Sequence, residues 1–277
     1  MSLSNSKFNG LLPDLSIDGH VHTKLCNHAV GEMEEYVQAA LAKKLHTIIF
    51  LEHLEVGINS AERIWLTEKD FEYYFVEGNR LKEKYASSIN VKLGVEAGYN
   101  GRELSRLRDV LQAYPWDHRG LSYHFYHDAV KGHLNMVSRR QENITALEQI
   151  GPDKVLCGYF NGLLRGVEEL EVDVLCHLDA VLRHYSDLAL TEEHWDMIDD
   201  LLGNLAVHGV ALEINTSGFH IRGCPFPEAR VIASALRNNV RLIAGSDAHK
   251  PEDVAGYFDR IPDYLETLDQ NNLDTWK

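Results

Sequence analysis

The sequence has few of the features on which secreted and membrane proteins depend. Only four cysteines occur in 277 residues, and none forms a CxxC pair, so a disulfide framework is excluded and we expect a reducing, cytoplasmic environment. No stretch approaches the ~20 uncharged apolar residues of a membrane span. The polar start, residues 1–14, lacks the apolar segment of a signal peptide. We therefore expect no membrane partner.

Basic residues are scarce as well. Lys and Arg number 27 against 42 Asp and Glu, which gives a formal net charge of −15 at pH 7. A field of this sign repels polyanions, so we expect no nucleic-acid partner. Neither a GxSxG elbow nor a GxxxxGK[ST] loop is present, which excludes serine hydrolases and nucleoside triphosphatases of those types. The sequence leaves the oligomeric state open.

Short apolar runs alternate with amphipathic stretches along the whole chain, and no linker or internal repeat divides it. The runs are mostly continuous, which is typical of strands covered on both faces. The predicted strands are 15–22, 47–53, 91–97, 120–124, 172–177, 210–215 and 240–246, and the predicted helices are 31–45, 71–86, 102–114, 152–170, 191–207, 227–238 and 251–257. Such alternation predicts an α/β fold, a TIM-like parallel barrel with seven strands. We expect one domain over 1–277, with a flexible segment at 1–14 and insertions at 54–70 and 125–150.

Fifteen histidines exceed the counts of both Phe and Tyr, and many of them stand at the ends of predicted strands. Reactive groups of such barrels lie at the carboxyl ends of the strands. His20 and His22 are two residues apart, so in an extended strand both rings point the same way. The other strand-end groups are Asp18, Glu52, His53, Glu96, His124, His177, Asp179, Glu213, Asp247 and His249. Burying so many together is costly without cations, and their coincidence therefore predicts a metal centre.

Seven segments in this order resemble the polymerase and histidinol phosphatase (PHP) superfamily, and most closely its histidinol-phosphate phosphatases. They are DGHVHTKLCNHA, FLEH, GVEAGY, LSYH, CHLD, EINTSG and GSDAHKPEDV, and the resemblance extends from Asp18 to about Arg260. It implies a distorted (β/α)7 barrel with a trinuclear site. The implied ligands are His20, His22, Glu96 and Asp247 for one ion, His28, His53 and His249 for the second, and Glu96, His124 and His177 for the third.

The ligand types narrow the choice of metal. Imidazole-rich sites favour transition metals over Mg²⁺, which prefers oxygen and water. We therefore expect three divalent ions of Zn, Fe or Mn. Cys26 and Cys176 stand beside proposed ligands. We interpret each more simply as a small side chain that is buried and packs in the core.

The resemblance also implies groups that act on phosphate. Arg183 resembles the phosphate-binding arginine of these enzymes, and Arg222 is a second candidate, because a guanidinium suits bidentate phosphate contacts. Asp247 and Arg183 are the predicted catalytic residues, and Asp179 is a candidate acid for the leaving group.

The function that this resemblance implies is hydrolysis of a small phosphate monoester, L-histidinol phosphate in histidine biosynthesis, by attack of a metal-bridging hydroxide. An alternative within the same family acts on another small phosphate ester or on a nucleotide. An amidohydrolase, whose barrel also begins with HxH, and a non-catalytic metal-binding protein remain as more distant alternatives.

Overall fold

Seven parallel strands form the single large sheet of the protein. The computed structural model describes residues 8, 10–60, 63–184 and 189–270, without the side chains of residues 184, 269 and 270. The strands of this sheet, in spatial order, are β1 (Ile17–Val21), β2 (Thr47–Glu55), β3 (Asn90–Gly98), β4 (His118–Ser122), β7 (Val174–Leu175), β8 (Ala211–Asn215) and β9 (Leu242–Gly245). A separate antiparallel hairpin consists of β5 (Phe125–Asp128) and β6 (Gly132–Asn135).

The sheet curls until its first and last strands meet. A parallel bridge joins Val21 to Ala248. The His22 amide donates to the Ala248 carbonyl at 2.9 Å, and the Asp247 amide donates to the His20 carbonyl at 2.8 Å. The predicted seven-stranded, TIM-like barrel of the PHP type is therefore confirmed, and all carboxyl ends of its strands point to one mouth.

Helices cover the outside of the barrel. They are α1 (Met33–Ala42), α2 (Glu68–Tyr85), α3 (Leu104–Ala113), α4 (Gln141–Ile150), α5 (Pro152–Glu169), α6 (Glu192–His208), α7 (Gly218–Arg222), α8 (Ala229–Arg237) and α9 (Ile261–Gln270). Side chains cap the first turns of α2 and α6; at α2, Thr67 and Asp70 form a reciprocal capping box. No helix within the described ranges is long and apolar enough to cross a membrane.

The predicted helix at 251–257 is wrong. Pro251–Asp253 form only a 3-10 turn, and the helix of this region, α9, begins later at Ile261. Ala255 and Tyr257 have φ angles of 50° and 60°, in the left-handed region that ends a helix. The backbone is diverted here because the Ala255 amide donates to the Asp18 carboxylate at 2.8 Å instead of to a helical carbonyl.

Both predicted insertions contain regular structure. Strand β2 runs two residues further than expected, to Glu55, because Leu54 and Glu55 pair with Ala97 and Gly98 of β3. The 125–150 segment folds into the β5–β6 hairpin and α4. Of the segment predicted to be flexible, residues 1–7 and 9 lie outside the described residues, whereas the Leu11 carbonyl accepts a hydrogen bond from Leu242 in β9.

The interior of the barrel is apolar below the mouth. Ile49, Leu51, Val174, Cys176 and Ala211 form a small buried cluster separate from the larger core beneath the helices. Ile49 and Leu51 share the inward face of β2 with His53, since alternate residues of a strand point the same way. These apolar side chains therefore form a dry floor under the groups at the mouth.

Two helical glycines provide a test of how tightly the helical layer packs on the barrel. A Cβ on Gly78 in α2 would overlap the side chain of Leu93, which is fully buried in β3, whereas a Cβ on Gly203 in α6 would meet nothing within 4 Å. Because Leu93 has no room to retreat, we expect Gly78→Ala to destabilise the protein by about 1–3 kcal/mol. Gly203→Ala should stabilise it by about 0.5–1 kcal/mol. Denaturant unfolding of both variants measures the two signs, and a stabilising Gly78→Ala would contradict the described packing.

Candidate metal centre

The buried carboxylate of Glu96, at the end of β3, lies at the centre of the mouth. Its Oε1 lies 2.8 Å from His177 Nε2 and 3.2 Å from His124 Nε2, and its Oε2 lies 2.7 Å from His53 Nδ1 and 3.5 Å from His20 Nε2. The residue is 1% exposed. Burial opposes the ionisation of Glu96, but the imidazoles around it hold the pKa of its carboxyl well below the usual value.

The remaining predicted ligands continue the cluster towards solvent. His22 Nε2 lies 2.9 Å from His20 Nε2 and 3.3 Å from an oxygen of Asp247. Further out, the Nε2 atoms of His28 and His249 are 2.8 Å apart. The structure thus brings together all nine side chains predicted as ligands: His20, His22, His28, His53, Glu96, His124, His177, Asp247 and His249.

Hydrogen bonds within this cluster leave several potential ligand atoms without a partner, as a site for divalent metals would. Buried ring nitrogens without a hydrogen-bond partner include His22 Nδ1 and His53 Nε2. Several triplets of potential ligand atoms lie within 4.8 Å of one another, among them His20 with His22 and Asp247, His22 with His53 and Glu96, and His28 with His53 and His249. Burial lowers the pKa of His53 to about 3 and the pKa of His22 well below its usual value, which leaves both rings in the neutral form that binds metal.

Carboxylates and carbonyls hold several of these rings from behind. Glu213 Oε1 lies 2.7 Å from His20 Nδ1, and Glu55 Oε1 lies 2.8 Å from His124 Nδ1. The rings of His28 and His249 contact the carbonyls of Cys26 and Asp247 at 3.0 and 2.9 Å. This is the usual arrangement around metal-binding histidines, in which the second nitrogen donates a proton and the ring is fixed.

Sequence reasoning missed the role of Glu55 and assigned Glu213 none beyond its place at a strand end. A signal for Glu55 existed. It follows His53 by two residues, so in an extended β2 its side chain points into the same mouth. The signal was hidden because the strand was predicted to end at His53.

Arg183 and Arg222, the two predicted phosphate-binding arginines, both lie over the Phe226 ring but have different partners. Arg222 Nη2 contacts both carboxylate oxygens of Asp179, at 3.0 and 2.9 Å, and its guanidinium lies 4.1 Å from the ring centroid. Arg183 lies 5.2 Å from the same centroid, and within the described ranges no carboxylate pairs with it. Its Nη1 contacts the Val137 carbonyl at 3.4 Å, and its Nε has no partner.

Asp179 is placed differently from the free acid suggested by the sequence. The residue is 1% exposed, and its carboxylate accepts hydrogen bonds from Arg222 and from the Glu228 amide at 2.9 Å. Asp179 is thus held as the ion-pair partner of Arg222, while burial raises the pKa of its carboxyl. The structure therefore couples Asp179 to Arg222 and leaves Arg183 as the available cation.

Comparison with known proteins places this geometry in a family. The PHP domain model matches residues 18–217, which is more than half of the chain. The chain belongs to the PHP domain family. The PHP match contains seven of the nine clustered side chains, and Asp247 and His249 lie beyond it.

Alignments with individual relatives extend over most of this chain. It is 26% identical over 247 residues to a Deinococcus radiodurans protein named "Probable histidinol-phosphatase", with 87% of this chain and 89% of the relative covered. A solved structure from Listeria monocytogenes superposes with a TM-score of 0.80 at 22% identity, covering 88% of this chain and 99% of the other. A Lactococcus lactis histidinol phosphate phosphatase, solved with zinc, L-histidinol and phosphate, has a TM-score of 0.70 at 21% identity, with 93% and 94% covered.

Asp18 provides a test of how the barrel is closed between β1 and the segment that follows β9. Its Oδ1 accepts from the Ser246 amide at 2.9 Å and the His20 amide at 3.3 Å, and its Oδ2 accepts from the Ser246 hydroxyl at 2.6 Å and the Ala255 amide at 2.8 Å. An asparagine accepts on one side only and would face its amide towards a backbone N–H on the other. We expect Asp18→Asn to lower the free energy of unfolding by about 2 kcal/mol.

The exposed Asp14 is the matched control for Asp18. Its Oδ1 alone accepts from the Ser16 amide and hydroxyl, at 2.9 and 2.6 Å, so an asparagine can replace it. Asp14→Asn should change the free energy of unfolding by less than about 0.5 kcal/mol. Equal effects of the two substitutions in denaturant unfolding would show that the four contacts of Asp18 do not hold β1 against β9.

Proposed function

We propose that the protein is a metal-dependent phosphomonoesterase whose substrate is L-histidinol phosphate. The observation that carries the proposal is the cluster of potential ligands that includes Glu96. The guanidinium of Arg183, with which no carboxylate pairs within the described ranges, would bind the phosphate. The names of the relatives supply the substrate. A cytoplasmic place in histidine biosynthesis is part of the same proposal.

The nine clustered side chains would hold three divalent ions of Zn, Fe or Mn. One would take His20, His22, Glu96 and Asp247, a second His28, His53 and His249, and a third Glu96, His124 and His177. Zinc bound to the Lactococcus lactis relative supports the choice of a transition metal. Such ions lower the pKa of bound water and neutralise charge on phosphoryl oxygens.

The chain's own residues position the phosphate and exclude water. Glu96 has two oxygens facing different imidazoles, so a single carboxylate can serve two ions. The floor of Ile49, Leu51 and Cys176 keeps the inner side of the mouth dry, which strengthens electrostatic interactions there. Arg183 directs free N–H donors at an incoming phosphoryl group, where charge grows as the ester bond breaks. Asp247, 15% exposed, lines the side of the cluster that is open to solvent.

The substrate proposal has a physical component as well. A mouth with several cations favours a dianionic monoester over a diester, which carries one charge fewer. Outside the mouth the net charge of −15 favours a substrate that carries its own amine, as histidinol phosphate does. A nucleoside monophosphate lacks that amine and is the alternative substrate.

Metal content is the first test. We expect about two to three transition-metal ions per chain at full loading, because the cluster is large enough for that number when water and phosphate complete the shells. Elemental analysis after remetallation measures it. Glu96→Gln should lower the content and abolish activity, while His208→Gln, an exposed histidine of α6, should leave both unchanged. A reproducible wild-type value below about one would contradict the proposed centre.

Arg183 is the second test. Arg183→Ala should leave the metals bound and lower kcat/KM by about 10²–10³, the loss typical of a donor that stabilises developing charge. Arg165→Ala is the control, because Arg165 is an exposed arginine paired with Glu169 on the helix surface. Full activity in Arg183→Ala would remove Arg183 from the site and leave Arg222 as the phosphate ligand.

Steady-state kinetics on a substrate panel is the third test. With one metal at fixed pH, kcat/KM for L-histidinol phosphate should exceed that for p-nitrophenyl phosphate, nucleoside monophosphates and bis-p-nitrophenyl phosphate by at least about tenfold, or about 1.4 kcal/mol of transition-state binding. A nucleotide or a diester as best substrate would replace histidinol phosphate and leave the metal-dependent phosphoesterase class intact.

A further inference from the structure

Glu213, at the end of β8, contacts two proposed ligands and the neighbour of a third. Its Oε1 lies 2.7 Å from the Nδ1 atom of His20, on β1. Its Oε2 accepts from the backbone amide of His177, after β7, at 2.8 Å and from Asn215 Nδ2 at 3.2 Å. Asn215 Nδ2 also lies 3.3 Å from Asp247 Oδ2, after β9. One carboxylate thus links proposed ligands from three different strands.

The hydrogen-bond directions around Glu213 are fixed by groups that can only donate. The amide of His177 is a backbone N–H. The side-chain oxygen of Asn215 accepts from the Ser217 amide at 3.2 Å and the Ser217 hydroxyl at 2.6 Å, so its NH₂ group faces Glu213. Glu213 Oε2 therefore receives two donors, and Oε1 is left to accept the Nδ1 proton of His20. With that proton on Nδ1, the Nε2 lone pair of His20 faces the cluster.

His177 also needs this contact for its backbone. Its φ is 27°, in a region that non-glycine residues rarely occupy, and such strain persists only where surrounding contacts impose it. The bond from its amide to Glu213 Oε2 is one such contact. The niche for the carboxylate comes from Gly245 on β9, where a Cβ would overlap Glu213 Oε1.

We propose that Glu213 is the positioning residue of the metal centre: it sets the tautomer of His20 and holds the backbone of His177, so that both rings present Nε2 to the metals. The proposal rests on the proposed metal-dependent function but not on the identity of the substrate.

Glu55 provides a matched comparison within the same mouth. It too is a buried carboxylate beside a ligand histidine, with Oε1 2.8 Å from His124 Nδ1, and Gly98 leaves it the corresponding niche. Its Oε2, however, has no hydrogen-bond partner. A glutamine at position 55 can therefore accept the His124 proton with its oxygen and place its NH₂ group where no donor opposes it.

A glutamine at position 213 cannot satisfy both sides. If its oxygen accepts from His177 and Asn215, its NH₂ group faces His20 Nδ1 and forces the His20 proton onto Nε2, the metal-binding nitrogen. If its oxygen accepts from His20, its NH₂ group opposes two donors. Both substitutions remove one buried negative charge beside one histidine, so the difference between them isolates the hydrogen-bond pattern from the charge.

The experiment is zinc binding to the full-length protein, measured by competition with a chromophoric chelator. We expect Glu213→Gln to weaken the affinity for zinc about 10–100-fold, the range typical of partners behind metal ligands, and Glu55→Gln to weaken it less than about tenfold. Equal losses in the two variants, or wild-type affinity in Glu213→Gln, would overturn the proposal. A wild-type protein that bound no zinc would instead contradict the proposed function.

A second measurement does not depend on the folding of a variant. In zinc-loaded wild-type protein with ¹⁵N-labelled histidine, NMR should place the His20 proton on Nδ1, in a resonance that is absent from His20→Gln. A His20 proton on Nε2 would overturn the proposal even if Glu213→Gln failed to fold.

Discussion

The burial of Glu96 is the constraint on which the mouth of the barrel depends. A carboxylate with almost no exposure is costly unless positive charge or hydrogen-bond donors surround it. The described protein supplies imidazoles from four other strand ends, those that carry His20, His53, His124 and His177. These rings repel one another when they are protonated, so metal ions bound by neutral rings, as proposed above, would stabilise the arrangement better than protons do. The closed barrel brings those strand ends to one point.

Closure in turn depends on polar contacts rather than on a continuous ladder. β7 contributes only two residues, and the bridge from β1 reaches Ala248, beyond the end of β9. Asp18 and Glu213 complete what the ladder lacks, because each accepts backbone N–H groups from neighbouring segments. Asp247 has a φ of 54°, and its amide is held by the His20 carbonyl. Strained backbone at proposed ligand positions is thus maintained by the same contacts that shut the barrel.

Much of this could be predicted because strand ends and ligands coincide in the sequence. A parallel barrel places every strand end at one mouth, so the alternation of strands and helices was enough to predict the fold and to bring the strand-end groups together. The choice of nine ligands, with His28 outside any strand end, came from the resemblance to the PHP family. The end of β2 was missed because Glu55 is charged and resembles a loop residue, although it is buried beside His124. The helix predicted at 251–257 failed for a tertiary reason: Asp18, far away in sequence, takes the Ala255 amide. Local periodicity contains no information about such a partner.

The two arginines show the same limit more sharply. In sequence, Arg183 and Arg222 both follow strand-end motifs, and only the resemblance to the PHP family favours Arg183. In the structure, Asp179 pairs with Arg222, whereas Arg183 contacts the same Phe226 ring and no carboxylate pairs with it within the described ranges. A cation already paired with a buried carboxylate gains little from phosphate, because it must first lose that partner. An unpaired one beside an aromatic ring gains the full charge-assisted bond. The division of roles between the two arginines therefore follows from the position of Asp179, which no spacing in the sequence reveals.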